Sequence, residues 1–138
     1  QATRQLQHVS LTPVFTQLST DSDLPDIYRM LDVQVLCSHS EGFPNVIMEG
    51  MATGIPIVAA RVGGVPELID HASSGWLVDS PDPKTYADHI EWCLDASEEV
   101  ATMTQHARDT IAQRASLDNM LKQYTMLYST ALAEKNQG

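Results

Sequence analysis

With 138 residues, 43% of them hydrophobic, the chain is long enough to bury the core of about one domain and too apolar to stay disordered. Its net charge of -10 comes mostly from carboxylates between residues 21 and 100, where only Arg29, Arg61 and Lys84 are cationic; such a field repels polyanions and excludes nucleic acid and anionic lipid as partners of this surface. No apolar stretch approaches the ~20 residues of a membrane span, no signal peptide is recognisable, and Cys37 and Cys93, without CxxC spacing, read as buried free thiols of a reducing compartment, so cytoplasmic residence is expected, with a peripheral membrane attachment through other parts of a longer protein compatible with it.

The first dozen residues are polar, and Leu11 to Phe15 is a short strand candidate interrupted by Pro13. A helix is predicted from about Leu24 to Leu31: Ser22 and Asp23 are good caps, Pro25 suits a first turn, and Ile27, Tyr28 and Leu31 form its inward face. Asp32 to Cys37 and Ile55 to Ala60 read as strands. Runs so continuously apolar suit parallel strands covered on both faces. Between them, Asn45 to Thr53 reads as a helix opened by Pro44 and stopped by Gly54, which completes one βαβ unit. A helical turn at Pro66 to Ile69 leads to a further strand, Gly75 to Asp79.

The last third is helical. Tyr86, Ile90, Cys93 and Leu94 share one face; so do Val100, Met103, Ala107 and Ile111; so do Leu117, Met120, Leu121, Tyr124, Leu127, Tyr128 and Ala131. With no internal repeat or linker, residues 1–138 read as a single α/β domain, a Rossmann-like three-layer parallel sheet with flanking helices. Four short strands without further partners would leave an open sheet edge. Self-association is expected, and light scattering that stays monomeric as concentration rises would count against it.

Ser38 to Ile69 is the richest segment. Glu41 and Glu49, separated by seven residues, straddle a strand-to-helix turn, and a second strand and the pair Gly63-Gly64 follow. In open α/β sheets ligands bind beyond the carboxyl ends of the strands; the loops Ser38 to Asn45 and Arg61 to Gly64 should therefore line one cleft. Carboxylates there accept hydroxyl hydrogen bonds, and the free N–H groups of Asn45 and Val46 at the helix start favour an anion. The pattern fits a sugar carrying phosphate. The competing account makes Glu41 a helix cap and Glu49 a solvated helix residue, but the apolar surroundings make an unpartnered Glu49 costly to bury. Phe43 has a rival role as core filling, and Gly63-Gly64 as a tight turn requiring positive φ.

In order and spacing, Glu41, Gly42-Phe43-Pro44-Asn45-Val46, Glu49, Gly63-Gly64 and Pro66-Glu67 resemble the donor-binding half of retaining nucleotide-sugar glycosyltransferases of the GT-B fold, the group often called glycosyltransferase group 1. The likeness extends more loosely from Val14 to Asp95. Gly50 departs from it, since the family usually carries alanine after the second glutamate, and Gly costs a helix interior roughly 1 kcal/mol relative to Ala. The resemblance implies that the chain is the later portion of a donor domain from a longer enzyme, inactive alone. It implies that Glu41 is the catalytic, charge-stabilising residue, that Gly42, Phe43, Pro44, Asn45, Val46, Gly63 and Gly64 line the donor site, and that Glu49 takes the ribose hydroxyls. No metal or other cofactor is expected, and the acceptor, a glycan, lipid or small molecule, would be bound by an N-terminal domain.

Asp21-Ser22-Asp23 mimics the Asp-x-Asp metal motif of the other major glycosyltransferase fold, but its place before Leu24-Pro25 reads as helix capping. His8, His39, His71, His89 and His106 show no paired ligand spacing, and Trp76 and Trp92 read as core cover. Two alternatives remain at this point: a nucleotide-sugar-binding or assembly module without transfer activity, and a sugar-nucleotide epimerase on the same scaffold.

Overall fold

The computed structural model describes residues 24–80, 82–95 and 98–135. Three parallel strands, β1 (Gln34–Leu36), β2 (Ile57–Ala60) and β3 (Trp76–Val78), form one sheet in that order, with Val35 opposite Val58 and Ala59 opposite Leu77. α1 (Leu24–Arg29) precedes β1, α2 (Asn45–Thr53) connects β1 to β2, and α3 (Val65–Leu68) connects β2 to β3. α4 (Pro83–Leu94), α5 (Glu98–Arg114) and α6 (Leu117–Lys135) follow.

The sheet separates two apolar layers because side chains alternate along a strand. On one face Ile57, Ala59 and Leu77 pack with Ile47 and Met51 of α2, Val65 and Leu68 of α3, and Ala107 and Ile111 of α5. On the other, Val58 and Val78 meet Cys93 of α4, with Tyr86, Ile90, Trp76 and Trp92 around them. Burial drives the Cys93 thiol up to about 11. The Trp76 ring stacks on His89 at 4.3 Å and meets Trp92 and His71 edge-on, so both tryptophans cover the core as expected.

Local chemistry sets the helix ends. Gly54 ends α2 with φ 80, a left-handed position from which its N–H reaches the carbonyls of Gly50 and Met51. Arg108 of α5 donates to the neighbouring Thr53 carbonyl at 2.8 Å. Arg114 does the same for α3, donating to the Glu67 carbonyl at 3.1 Å while pairing with Asp70 at 2.9 Å. Asp82 caps α4 through the N–H groups of Lys84 and Thr85 ahead of Pro83.

Several expectations are corrected. β1 is covered on one face only, leaving Val35 exposed, because α4 lies over β2 and β3 rather than over β1. Leu31 falls in the turn beyond α1 and is exposed. Leu94 is exposed because it lies about 100° around the helix from the buried Cys93. Cys37, just past the end of β1, is exposed; only Cys93 is a buried thiol. The apolar stripe of α6 is real but uncovered, since none of its residues is buried. The strand expected at Leu11 to Phe15, the caps Ser22 and Asp23, and Asp21-Ser22-Asp23 as a whole lie outside the described residues.

Candidate functional site

The loops after β1 and β2 do open on the same edge of the sheet, and they touch. Gly64 N–H donates to the Gly42 carbonyl at 2.8 Å. Gly63 adopts φ 51, and a Cβ there would collide with the Glu41 carbonyl oxygen; one on Gly64 would collide with the Gly42 carbonyl. The glycine pair thus lays the second loop directly on the backbone of the first, which fixes the position of Glu41 and Gly42. Phe43 is 52% exposed beside Gly64 and is therefore not core filling.

Helix α2 starts with Pro44 in an extended conformation, and no side chain caps it. Glu41 is thus not its cap. The Ile47 N–H turns back to the Pro44 carbonyl at 3.1 Å, while Asn45 and Val46, whose N–H groups precede the helical ladder, are exposed at the positive end of the helix. Deeper in α2, Ile47 and Met51 point into the core and are fully buried.

Glu49 is half-buried and has a partner that the sequence did not disclose. The Tyr28 hydroxyl, from α1, donates to Glu49 Oε2 at 2.7 Å and lies 3.5 Å from the Val46 carbonyl. Burial, reinforced by the neighbouring carboxylate, drives the Tyr28 hydroxyl far above its ordinary range, so it remains a donor. A buried tyrosine needs a partner for its hydroxyl and a half-buried carboxylate needs a donor, and the pair meets both needs. Gln34 of β1 adds a second support, donating from Nε2 to the Val46 carbonyl at 2.9 Å. Its Oε1 is buried without a hydrogen-bond partner among the described residues and occupies the space that a Cβ on Gly50 would fill. The missing alanine and the lone polar side chain of β1 are two halves of one packing solution.

Beside these loops a cleft of about 550 Å³ runs along the carboxyl ends of the three strands, between Val35, Cys37, Ala60 and Val78 on one side and Tyr86 and Ile90 of α4 on the other. Ser38, His39 and Val62 carry its wall to the two loops, while Glu41 and Glu49 stand outside it. Arg61, the cation of the second loop, is paired with Asp79 at 2.5 Å.

Residues 6–110 match the sequence model of the family described as glycosyl transferases group 1. Curated relatives include an N-acetyl-alpha-D-glucosaminyl L-malate synthase of Bacillus anthracis, 30% identical over 88% of this chain and 32% of its own length. Another is a D-inositol 3-phosphate glycosyltransferase of Corynebacterium efficiens, 38% identical over 84% of this chain and 27% of its own length. This chain therefore spans about a third or less of these relatives. Among solved structures, Anabaena Alr3699/HepE in complex with UDP superposes with a TM-score of 0.74 at 29% identity, over 79% of this chain and 30% of that one. The C-terminal domain of a group 1 glycosyl transferase, LpcC, from Francisella tularensis gives 0.68 at 26% identity, over 75% of this chain and 53% of that one. No helix among the described residues is long and apolar enough to cross a membrane. With its parallel sheet, flanking helices and glutamate-bracketed turn, the chain belongs to the glycosyl transferases group 1 family, of GT-B fold.

Proposed function

We propose that this chain is the later part of the donor-binding half of a longer retaining glycosyltransferase, which moves a glycosyl group from a nucleotide-diphosphate sugar to an acceptor hydroxyl. The observation that carries this reading is the uncapped start of α2 beside a loop held by Gly63 and Gly64, with Glu41 before the helix and Glu49 in its second turn. The N–H groups of Asn45 and Val46 meet the donor diphosphate and the charge that grows on it as the glycosidic bond breaks. Glu41 and the backbone of Gly42 and Phe43 position the transferred sugar, and the Glu41 carboxylate stabilises the oxocarbenium-like transition state. Glu49 accepts the ribose hydroxyls. Co-crystallisation of Anabaena Alr3699/HepE with UDP and with UDP-glucose supports a nucleotide-sugar donor here.

The acceptor site lies on an N-terminal domain in this reading, so the 138-residue chain alone has negligible transfer activity. In the full-length enzyme, Glu41→Ala is expected to lower turnover by about 10²–10³-fold, the scale of removing a preorganised charge-stabilising group, and Glu49→Ala to raise the donor KM. Steady-state kinetics that leave turnover and donor affinity unchanged in both variants would remove the site assignment.

A further inference from the structure

The role of Glu49 depends on where its carboxylate points, and α1 fixes that. Tyr28 is only 7% exposed, and its hydroxyl makes a 2.7 Å bond to Glu49 Oε2, in the range of charge-assisted O–H···O⁻ bonds. α2 is held from two directions at this point: Tyr28 on the Glu49 side chain, and Gln34 Nε2 on the Val46 carbonyl. A glutamate with three rotatable bonds otherwise samples several rotamers at the mouth of a site; here one oxygen is tethered. A carboxylate has about four lone-pair sites, so the tether leaves enough to accept a vicinal pair of hydroxyls.

We propose that Tyr28 is a positioning residue for nucleotide binding: by tethering Glu49 Oε2 it presents the rest of that carboxylate to the ribose diol of the donor. This rests on the reading of Glu49 as the ribose acceptor. The tether lowers the entropic cost of binding, since the carboxylate is ordered before the ligand arrives. Nothing in the sequence separates Tyr28 from an ordinary core tyrosine. The hydroxyl bond does.

The test uses the full-length enzyme and titration calorimetry. UDP, GDP and ADP are screened, and the tightest is compared with its 2′,3′-dideoxy form on wild type, Tyr28→Phe, Glu49→Ala and the double variant. Tyr28→Phe keeps the ring and is expected to weaken the ribonucleotide by about 10-fold, the lower end of the scale for a hydrogen bond to a charged group, while changing the dideoxy form less than about 2-fold. On the Glu49→Ala background it should add no further ribose-dependent loss. Equal weakening of both nucleotides by Tyr28→Phe, or no weakening of either, overturns the tether. If Glu49→Ala discriminates between the two nucleotides and Tyr28→Phe does not, the tether alone falls. If Glu49→Ala does not discriminate, or none of the three nucleotides binds, the ribose reading falls with it.

Discussion

Helices α5 and α6 carry apolar residues at the same three-and-four spacing and end in opposite environments. Val100, Met103, Ala107 and Ile111 of α5 are buried, the last two against α2, α3 and the sheet, whereas Leu117, Met120, Leu121, Tyr124, Leu127 and Tyr128 of α6 are 45% to 66% exposed. Periodicity states which side of a helix is apolar; burial needs a second surface. α5 is also bound by polar contacts, since Arg108 and Arg114 reach the carboxyl ends of α2 and α3. It therefore braces the helix that carries Glu49 from behind, whereas the polar contacts described for α6 tie it to the adjoining end of α5, where Asn119 Nδ2 donates to the Gln113 carbonyl at 2.8 Å.

Core truncation gives the largest break in this contrast. Ile111→Ala should cost about 2–5 kcal/mol in chemical denaturation, the transfer loss plus a cavity under α2 and α3. A cost below about 1 kcal/mol would mean that α5 is not the brace it looks to be.

A middle effect is expected in α2 itself. Gly50→Ala alone should be close to neutral: helix propensity gains roughly 1 kcal/mol, and the displaced Gln34 amide gives up a bond to Val46 worth about 1 kcal/mol. Combining it with Gln34→Val removes the unpartnered Oε1 and makes room for the Cβ, so the double variant should exceed wild type by about 1 kcal/mol. A denaturation-based double-mutant cycle reads the coupling; strict additivity would deny that the two positions share one space.

The smallest effect belongs to α6. Leu127→Ala in this chain should change stability by less than about 0.5 kcal/mol, as for other exposed positions. A loss comparable to that of Ile111→Ala would show that the stripe is covered in solution.

Much of the site was legible along the chain. Asn45–Thr53 coincides with the helix expected between Pro44 and Gly54, because a fixed φ before the helix and a left-handed glycine after it are local requirements. That the two loops open on the same edge was legible from the strands they follow; their contact was not, since the carbonyls of Glu41 and Gly42 come close to Gly63 and Gly64 only when β1 and β2 pair in register. Tyr28 was placed on an inward face without its partner, because an oxygen–oxygen contact across 21 positions is a product of packing.

What the residues determined unaided is the local and periodic part: helix ends at Pro44 and Gly54, the apolar strand β2, the glutamate-bracketed turn, and family membership through that motif. What required the folded chain is every pairing between distant segments: the Tyr28–Glu49 tether, Gln34 in the hollow of Gly50, the arginines of α5 on the ends of α2 and α3, and the choice of which apolar helix is buried. The physical reason is range. Backbone geometry and side-chain periodicity act over a few residues, whereas desolvation and hydrogen-bond satisfaction depend on which surfaces meet.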